Sequence, residues 1–377
     1  MRVAIDYTPA IAQRGGVGRY TRSLVHALAA RLGGADELVL WHASDADPAG
    51  ANDWATPRVR FRRLPVPERL ATIAWQRLRI PARLEWMIGP VEVVHGPDFV
   101  VPPTRAPAVV TIHDLSYLVT PEHAHPNLRR YLLRAVPRAL DRAAAVIAVS
   151  QTTAADLTRH YGIAAERITV IPNGVDPLFR PPSPELVQQV LARLEVRAPY
   201  FIIVGTVEPR KNHQTVLRAF EEVHRAHPDV SLVIVGRPGW LAEPIVAAIK
   251  AAARRLPIRW LSQVDDSLLP ALYSGSLALV YPSWYEGFGL PIVEAMASGA
   301  PVVTSDHGAL AEVAGDAALL APAGDAGALA ALMCRLIEEP DLRADRVRRG
   351  QRHAAHFTWD AAAEAHLAVY RWVSAGS

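Results

Sequence analysis

The stretch YPSWYEGFGLPIVEAMASGAPVVTS (281–305) decides the architecture. It opens on an apolar run suited to a buried strand and turns through Gly287, Phe288 and Gly289. It then continues at helical spacing through LPIVEAMA and closes on a second apolar run. Two parallel strands need a crossover of about this length, so the segment reads as one strand–helix–strand unit of a parallel sheet.

Working outward, the same rhythm fills the chain. YFIIVGT (200–206), VSLVIVG (230–236), PIRWLS (257–262), LALVYPS (277–283) and APVVTS (300–305) alternate with helical patterns. So do RVAID (2–6), ELVLWH (37–42), VEVVH (91–95), AVVTIH (108–113) and AVIAVS (145–150) nearer the N-terminus. Near-continuous apolar strands are covered on both faces, so the expected class is α/β, with two doubly wound parallel-sheet domains. DPLFRPPSPE (176–185) carries four prolines, which deny donors and helical angles to the backbone. The expected boundaries are a first domain over 1–178, a linker over 179–199 and a second domain over 200–355. The amphipathic helix in FTWDAAAEAHLAVYRWV, within 356–377, is expected to cross back to the first domain.

Composition agrees and excludes other classes. At 377 residues, 50% hydrophobic and 20% charged, the chain has apolar side chain enough for two cores. Forty Lys and Arg against 37 Asp and Glu give +3, too weak a bias to imply a nucleic-acid partner. Cys334 is the one cysteine, so no internal disulfide can form and a reducing cytoplasm is expected. MRVAIDY begins directly as a strand without a signal region, and no run of eighteen apolar residues occurs.

Glu286 and Glu294 flank the glycine turn of the opening stretch. Gly287, Phe288 and Gly289 let backbone N–H groups approach a ligand at a helix start, where the dipole favours anions and polar oxygens. Carboxylates accept from vicinal hydroxyls, so one can hold a sugar and the other a ribose. The bland reading makes Glu286 a turn residue and Glu294 a solvated helix residue. The setting E-G-F-G-L-P-x-x-E-A-M-A-x-G-x-P-V resembles glycosyltransferase family 4, closest to bacterial mannosyltransferases that build O-antigen-type polysaccharides. The resemblance covers nearly the whole chain. It implies a GT-B fold with two Rossmann-like halves facing a cleft, a nucleotide diphosphate sugar donor and retention at the anomeric carbon.

VGTVEPRKNHQTVLRAF (204–220) leads from a buried strand through Gly205, Arg210 and Lys211 into a helix. A departing diphosphate needs its charge neutralised, which Arg does as a bidentate fork and Lys as a point charge. A solvated basic turn fits the same triplet, and the resemblance decides for the phosphate site. IDYTPAIAQRGGVGRYTRSLVHAL (5–28) places Gly15, Gly16 and Gly18 in a loop before a helix; a flexible surface loop explains them as well, and the phosphate role, with Gly16 and Val17 as contacts, is what similar enzymes imply. The spacing differs from G-x-G-x-x-G, so a dinucleotide site is disfavoured. His113 and Asp114 close a strand, and HDLSYL looks like the family's His-Asp segment, implying a hydrogen bond to the donor sugar or its phosphate. RITVIPNGVDP (167–177) serves as a boundary marker.

The resemblance assigns catalytic work to His113, Glu286, Arg210 and Lys211. It assigns donor binding to Gly15, Gly16, Val17, Asp114, Gly205, Gly287, Phe288, Gly289, Leu290 and Glu294. No metal and no further cofactor are expected. The triplet Asp45, Ala46, Asp47 sits in a polar run without a strand to hold it rigid, and reads as a surface loop. His123 and His125 lie among prolines with no cysteine nearby, which argues against zinc. Neither G-x-S-x-G nor a P-loop appears. Residues 58–83 carry Arg58, Arg60, Arg62, Arg63, Arg69, Arg77, Arg79 and Arg83 against Glu68, interleaved with Leu70, Ile73, Trp75, Leu78 and Ile80. This stretch is either a basic helix packed on the sheet or a surface for anionic lipid, suited to a lipid-linked glycan acceptor. The expected reaction transfers a hexose, first of all mannose from GDP-mannose, to a glycan or lipid-linked glycan. The alternatives are a nucleotide-sugar epimerase of the same architecture and a non-catalytic nucleotide-sugar-binding subunit.

Overall fold

In the computed structural model, which describes residues 1–13, 15–45, 56–78 and 80–376, the apolar runs are strands. The chain divides into two compact units, one comprising Met1–Leu115, Asn127–Gly174 and Thr358–Ser377, the other Ser116–Pro126 and Val175–Phe357.

The first unit is built on β1 (Arg2–Asp6), β2 (Glu37–His42), β3 (Val59–Arg63), β4 (Val93–Gly96), β5 (Ala108–Ile112), β6 (Ala143–Ala148) and β7 (Ile168–Val170). Their order across the sheet is β3-β2-β1-β4-β5-β6-β7, with every pairing parallel. On one face the helix Gly16–Ala29 lays down Tyr20, Leu24 and Leu28. These meet Trp359, Leu367 and Tyr370 of the C-terminal helix Trp359–Ala375. On the other face Trp41, Trp75 and Leu84 form a second cluster.

The C-terminal helix is held by a buried chain of hydrogen bonds whose proton order follows from its ends. Ala362 O can only accept, so His366 Nδ1 donates to it at 2.7 Å, and Nε2 is left to accept from Tyr20 OH at 2.9 Å. Tyr20 OH accepts from Thr111 Oγ1 at 3.0 Å, Thr111 from His95 Nε2 at 2.8 Å, and His95 Nδ1 from Tyr370 OH at 2.7 Å. Every member is satisfied with both imidazoles neutral, as a dry site requires.

The second unit carries β8 (Tyr200–Val204), β9 (Ser231–Val235), β10 (Ile258–Leu261), β11 (Ala278–Tyr281), β12 (Val302–Ser305) and β13 (Leu319–Ala321). Their order is β10-β9-β8-β11-β12-β13, again all parallel. Tyr273, Ile292 and Met296 pack on one face and Val216, Phe220 and Met333 on the other.

Four local expectations change. Residues 179–199, read as linker, are part of the second unit: Ser183 caps the helix Pro184–Arg193, and Phe179, Val190 and Val196 are buried in its core. The basic stretch begins as edge strand β3 and only then becomes the helix Glu68–Thr72 and a π-helical turn Ile73–Arg77. Gly16, Val17 and Gly18 are the first turn of a helix instead of a loop. The short strand β13 follows the one read as last. Ala46, Asp47 and Arg79 lie outside the described residues.

Candidate active site

In a doubly wound sheet, ligands gather at the carboxyl ends of the strands where the strand order reverses. In the second unit that point lies between β8 and β11. The segment after β8 carries Glu208, Arg210 and Lys211, and the one after β11 carries Trp284, Tyr285 and Glu286. Asn212 takes a left-handed conformation and donates to Pro282 O at 2.9 Å and Ala323 O at 2.6 Å, tying the first segment to the second. Trp284 N donates to Arg210 O at 2.9 Å, and Arg210 Nη1 to Tyr285 O at 2.9 Å.

These ties converge two cations on one carboxylate. Arg210 Nη1 donates to Glu286 Oε2 at 2.5 Å and Lys211 Nζ to Glu286 Oε1 at 2.6 Å. Arg210 Nη2 donates to Glu208 Oε1 at 2.8 Å. Tyr281 OH accepts from Lys211 at 2.5 Å and donates to Glu286 at 3.1 Å. Glu208 is 1% exposed and Glu286 8%. Burial alone would raise the Glu286 carboxyl, but Arg210 and Lys211 outweigh it and hold it down at about 2. Burial raises Glu208 against the pull of Arg210 and Lys211, and burial with the Glu286 charge pushes Tyr281 up, so its hydroxyl stays protonated. The cluster thus holds two fixed cations at a strand edge, each with an internal counter-charge that an incoming anion can replace.

The other sequence-predicted residues of this unit surround that cluster. Gly205 follows β8 and faces the stem of Lys211, whose Cε lies 3.5 Å from where a Cβ would stand. Gly287, Phe288 and Gly289 are buried, and the Phe288 ring meets Phe357 edge-on at 5.7 Å. Gly289 sits at φ +99 directly before the helix Leu290–Ala297, a geometry a side chain would strain, and Leu290 is half-buried at the helix start. Glu294, 2% exposed, receives Tyr273 OH at 3.4 Å. It is therefore neither solvated nor a surface residue.

In the first unit the order reverses between β1 and β4. Gly15 and Gly16 are exposed at the N-terminus of the helix Gly16–Ala29, with Val17 half-buried in its first turn and no side-chain cap, so its leading amides face outward. His113 and Asp114, half-buried, follow β5. His113 Nε2 donates to Pro97 O at 2.7 Å, and its ring meets Tyr20 edge-on at 4.7 Å. With its one proton there, neutral His113 offers Nδ1 as an acceptor. It suits a sugar hydroxyl, one of the two partners expected of His113. Burial lowers the imidazole and Asp98 opposes the shift.

Sequence reasoning did not single out Glu208, Tyr281, Trp284 or Asp98. Glu208 lies in the same E-P-R-K run, and its acidity beside two cations was the available signal. His123, weighed above for zinc, closes the turn Pro121–His123 and lies beside Trp284. Asp45 accepts from Glu68 N at 3.0 Å. Among the described residues, His227, Cys334 and Glu338 form the one group of three with ligand atoms within 4.8 Å of one another. It lies where the helix His213–Ala226 ends, away from the segment that carries Lys211. No helix is long and apolar enough to cross a membrane among those residues.

Residues 14–178 match the family model described as Glycosyltransferase Family 4, and residues 192–353 the model described as Glycosyl transferases group 1. The chain is 33% identical over 358 residues to the O-antigen chain mannosyltransferase B of Escherichia coli, covering 92% of this chain and 93% of that protein. Among solved structures, sucrose-phosphate synthase from Thermosynechococcus elongatus superposes with a TM-score of 0.78 at 22% identity, over 100% of both chains. HepE of Anabaena, solved with UDP and glucose, superposes with a TM-score of 0.74 at 19% identity, over 98% of both. At these identities the two structures speak for the fold.

Proposed function

The chain belongs to glycosyltransferase family 4, and from that premise we propose that it transfers mannose from GDP-mannose to a glycan acceptor with retention and without a metal ion. The observation that carries this reading is the Arg210–Glu286–Lys211 cluster at the reversal of strand order in the second unit. Mannose is favoured by the O-antigen chain mannosyltransferase that the chain resembles over nearly its whole length.

The donor's diphosphate draws hydrogen bonds from Arg210 and Lys211, which loosens their hold on the buried Glu286 carboxylate. Glu286 then accepts from hydroxyls of the bound sugar. The bond from the anomeric carbon to the diphosphate oxygen breaks, and its electron pair goes to the phosphate held by the two cations. The acceptor oxygen bonds to the same face of that carbon, and its proton passes to the leaving phosphate.

Lys211→Ala and Glu286→Ala should each lower transfer about 10²–10³-fold, the usual cost of removing one charge-stabilising group, with the thermal transition retained. Near-normal turnover in either would remove the site assignment. Activity lost in chelator and restored by magnesium would remove the metal-free mechanism, and an inverted product by NMR the retaining one. Thermal shifts across a panel of nucleotide sugars identify the donor.

We place the acceptor on a lipid carrier at the inner face of the membrane. Leu70, Leu78 and Trp86 stand exposed on the first unit, the last two at 63% and 71%, with Arg69 and Arg77 exposed beside them. Apolar tips among arginines suit an anionic headgroup layer. The protein should sediment with phosphatidylglycerol vesicles at low salt, and equal sedimentation with neutral vesicles would sink this placement.

A further inference from the structure

Within Tyr281–Gly289 every side chain or backbone is buried except at Trp284, which is 38% exposed. Single exposed apolar side chains are ordinary on a surface, but this one is held at its main chain and along its ring. The backbone N–H donates to Arg210 O at 2.9 Å, and the backbone carbonyl accepts from His307 Nε2 at 3.0 Å. The six-membered edge of the indole lies against Gly324, where a Cβ would stand 2.9 Å from Cη2, so a side chain there would push the ring aside. His123 flanks the indole with ring centroids 6.5 Å apart and a tilt of 31°. His123 is itself anchored by Trp240 Nε1, which donates to its carbonyl at 2.8 Å.

The result is an aromatic plane set in advance, two residues from Glu286. The electron-rich face of an indole attracts C–H groups and repels anions, so it suits the apolar face of a neutral sugar ring and not a diphosphate. Among the described residues the indole Nε1–H has no acceptor, which leaves a donor for a hydroxyl at the rim of such a ring. A plane oriented in advance adds affinity mainly by sparing the ordering cost of binding.

We propose that Trp284 is the stacking shelf for a pyranose ring of the acceptor glycan, and so sets acceptor specificity from the second unit. This rests on the transfer reaction proposed above. The indole supplies stacking and one hydrogen bond, with no part in bond making.

The test is steady-state transfer to α-linked manno-oligosaccharides by the full chain, with Trp284→Ala, Trp284→Phe and Gly324→Ala. Trp284→Ala should raise the acceptor KM at least about 10-fold while the donor KM moves less than about two-fold. Tenfold corresponds to about 1.4 kcal/mol, which the stacking of an indole and its area burial supply together. Trp284→Phe should recover part of the loss, and Gly324→Ala should raise the acceptor KM with the tryptophan still present. An unchanged acceptor KM in Trp284→Ala would overturn the shelf. So would a donor KM that rises instead, since the indole would then be stacking the base or merely supporting Arg210. A wild-type enzyme that transfers to no acceptor overturns the underlying reaction first, and is told apart by that.

Discussion

His95, His366 and His213 are buried to 0%, 0% and 1% exposure, and among the described residues none has a carboxylate partner. Burial holds His366 and His213 at about 4, the latter with help from the Lys211 charge. It holds His95 well below the usual imidazole range, with His366 and His113 adding to the effect. These histidines stay neutral in the fold but take up protons near pH 6.5 once unfolded. The unfolded chain then binds more protons, so stability falls as pH drops through about 6.5 and keeps falling toward about 4. Each contributes about 1.4 kcal/mol per pH unit at most. Asp6 acts in the opposite sense: burial raises its carboxyl to about 7, so it gains protons on folding over much of the same window and offsets one histidine. Glu208 and Asp98, also raised by burial, act as Asp6 does, so the slope of urea midpoints between about pH 4 and 7 reports the histidines net of these three carboxyls. The His366→Gln variant, unable to titrate, should show a slope shallower by about one proton. Equal slopes would mean that His366 titrates in the fold.

Among elements, legibility followed burial. β9 is buried at every position, so Ser231–Val235 wrote itself as a continuous apolar run. β3 is an edge strand with only Val59 buried, so its alternation with arginines read as a basic surface. β13 has three residues, too few for any period. The helix Gly16–Ala29 begins on two glycines, residues that ordinarily argue for a loop, because its first turn faces outward without a cap. The site was legible where chemistry is crowded into short motifs, as with Arg210, Lys211 and Glu286. That Glu286 pairs with Arg210 across 76 positions was not, because the contact depends on β8 and β11 being neighbours. Strand order belongs to the folded sheet. Trp284 escaped notice for a related reason, since its meaning depends on Gly324 and His123, each distant in sequence.

Across the whole molecule, sequence order and spatial membership part at the C-terminus. The chain leaves the first unit, completes the second at Phe357, and spends its last segment, Thr358–Ser377, back in the first. There Trp359, Leu367, Tyr370 and Val373 lie between 0% and 7% exposed within the first unit's core, and Tyr370 and His366 close the buried hydrogen-bond chain. At about 1.5–3 kcal/mol for each large side chain buried, these four contribute on the order of 8 kcal/mol. That rivals the total of about 5–15 kcal/mol by which a domain is stable. A chain stopped after Phe357 should therefore lose the first unit selectively. Limited proteolysis should degrade residues 1–115 and 127–174 while a fragment spanning 175–357 survives, and calorimetry should lose one transition and keep the other. An intact first unit in the truncated chain would show that the helix Trp359–Ala375 merely rests on a core already complete without it.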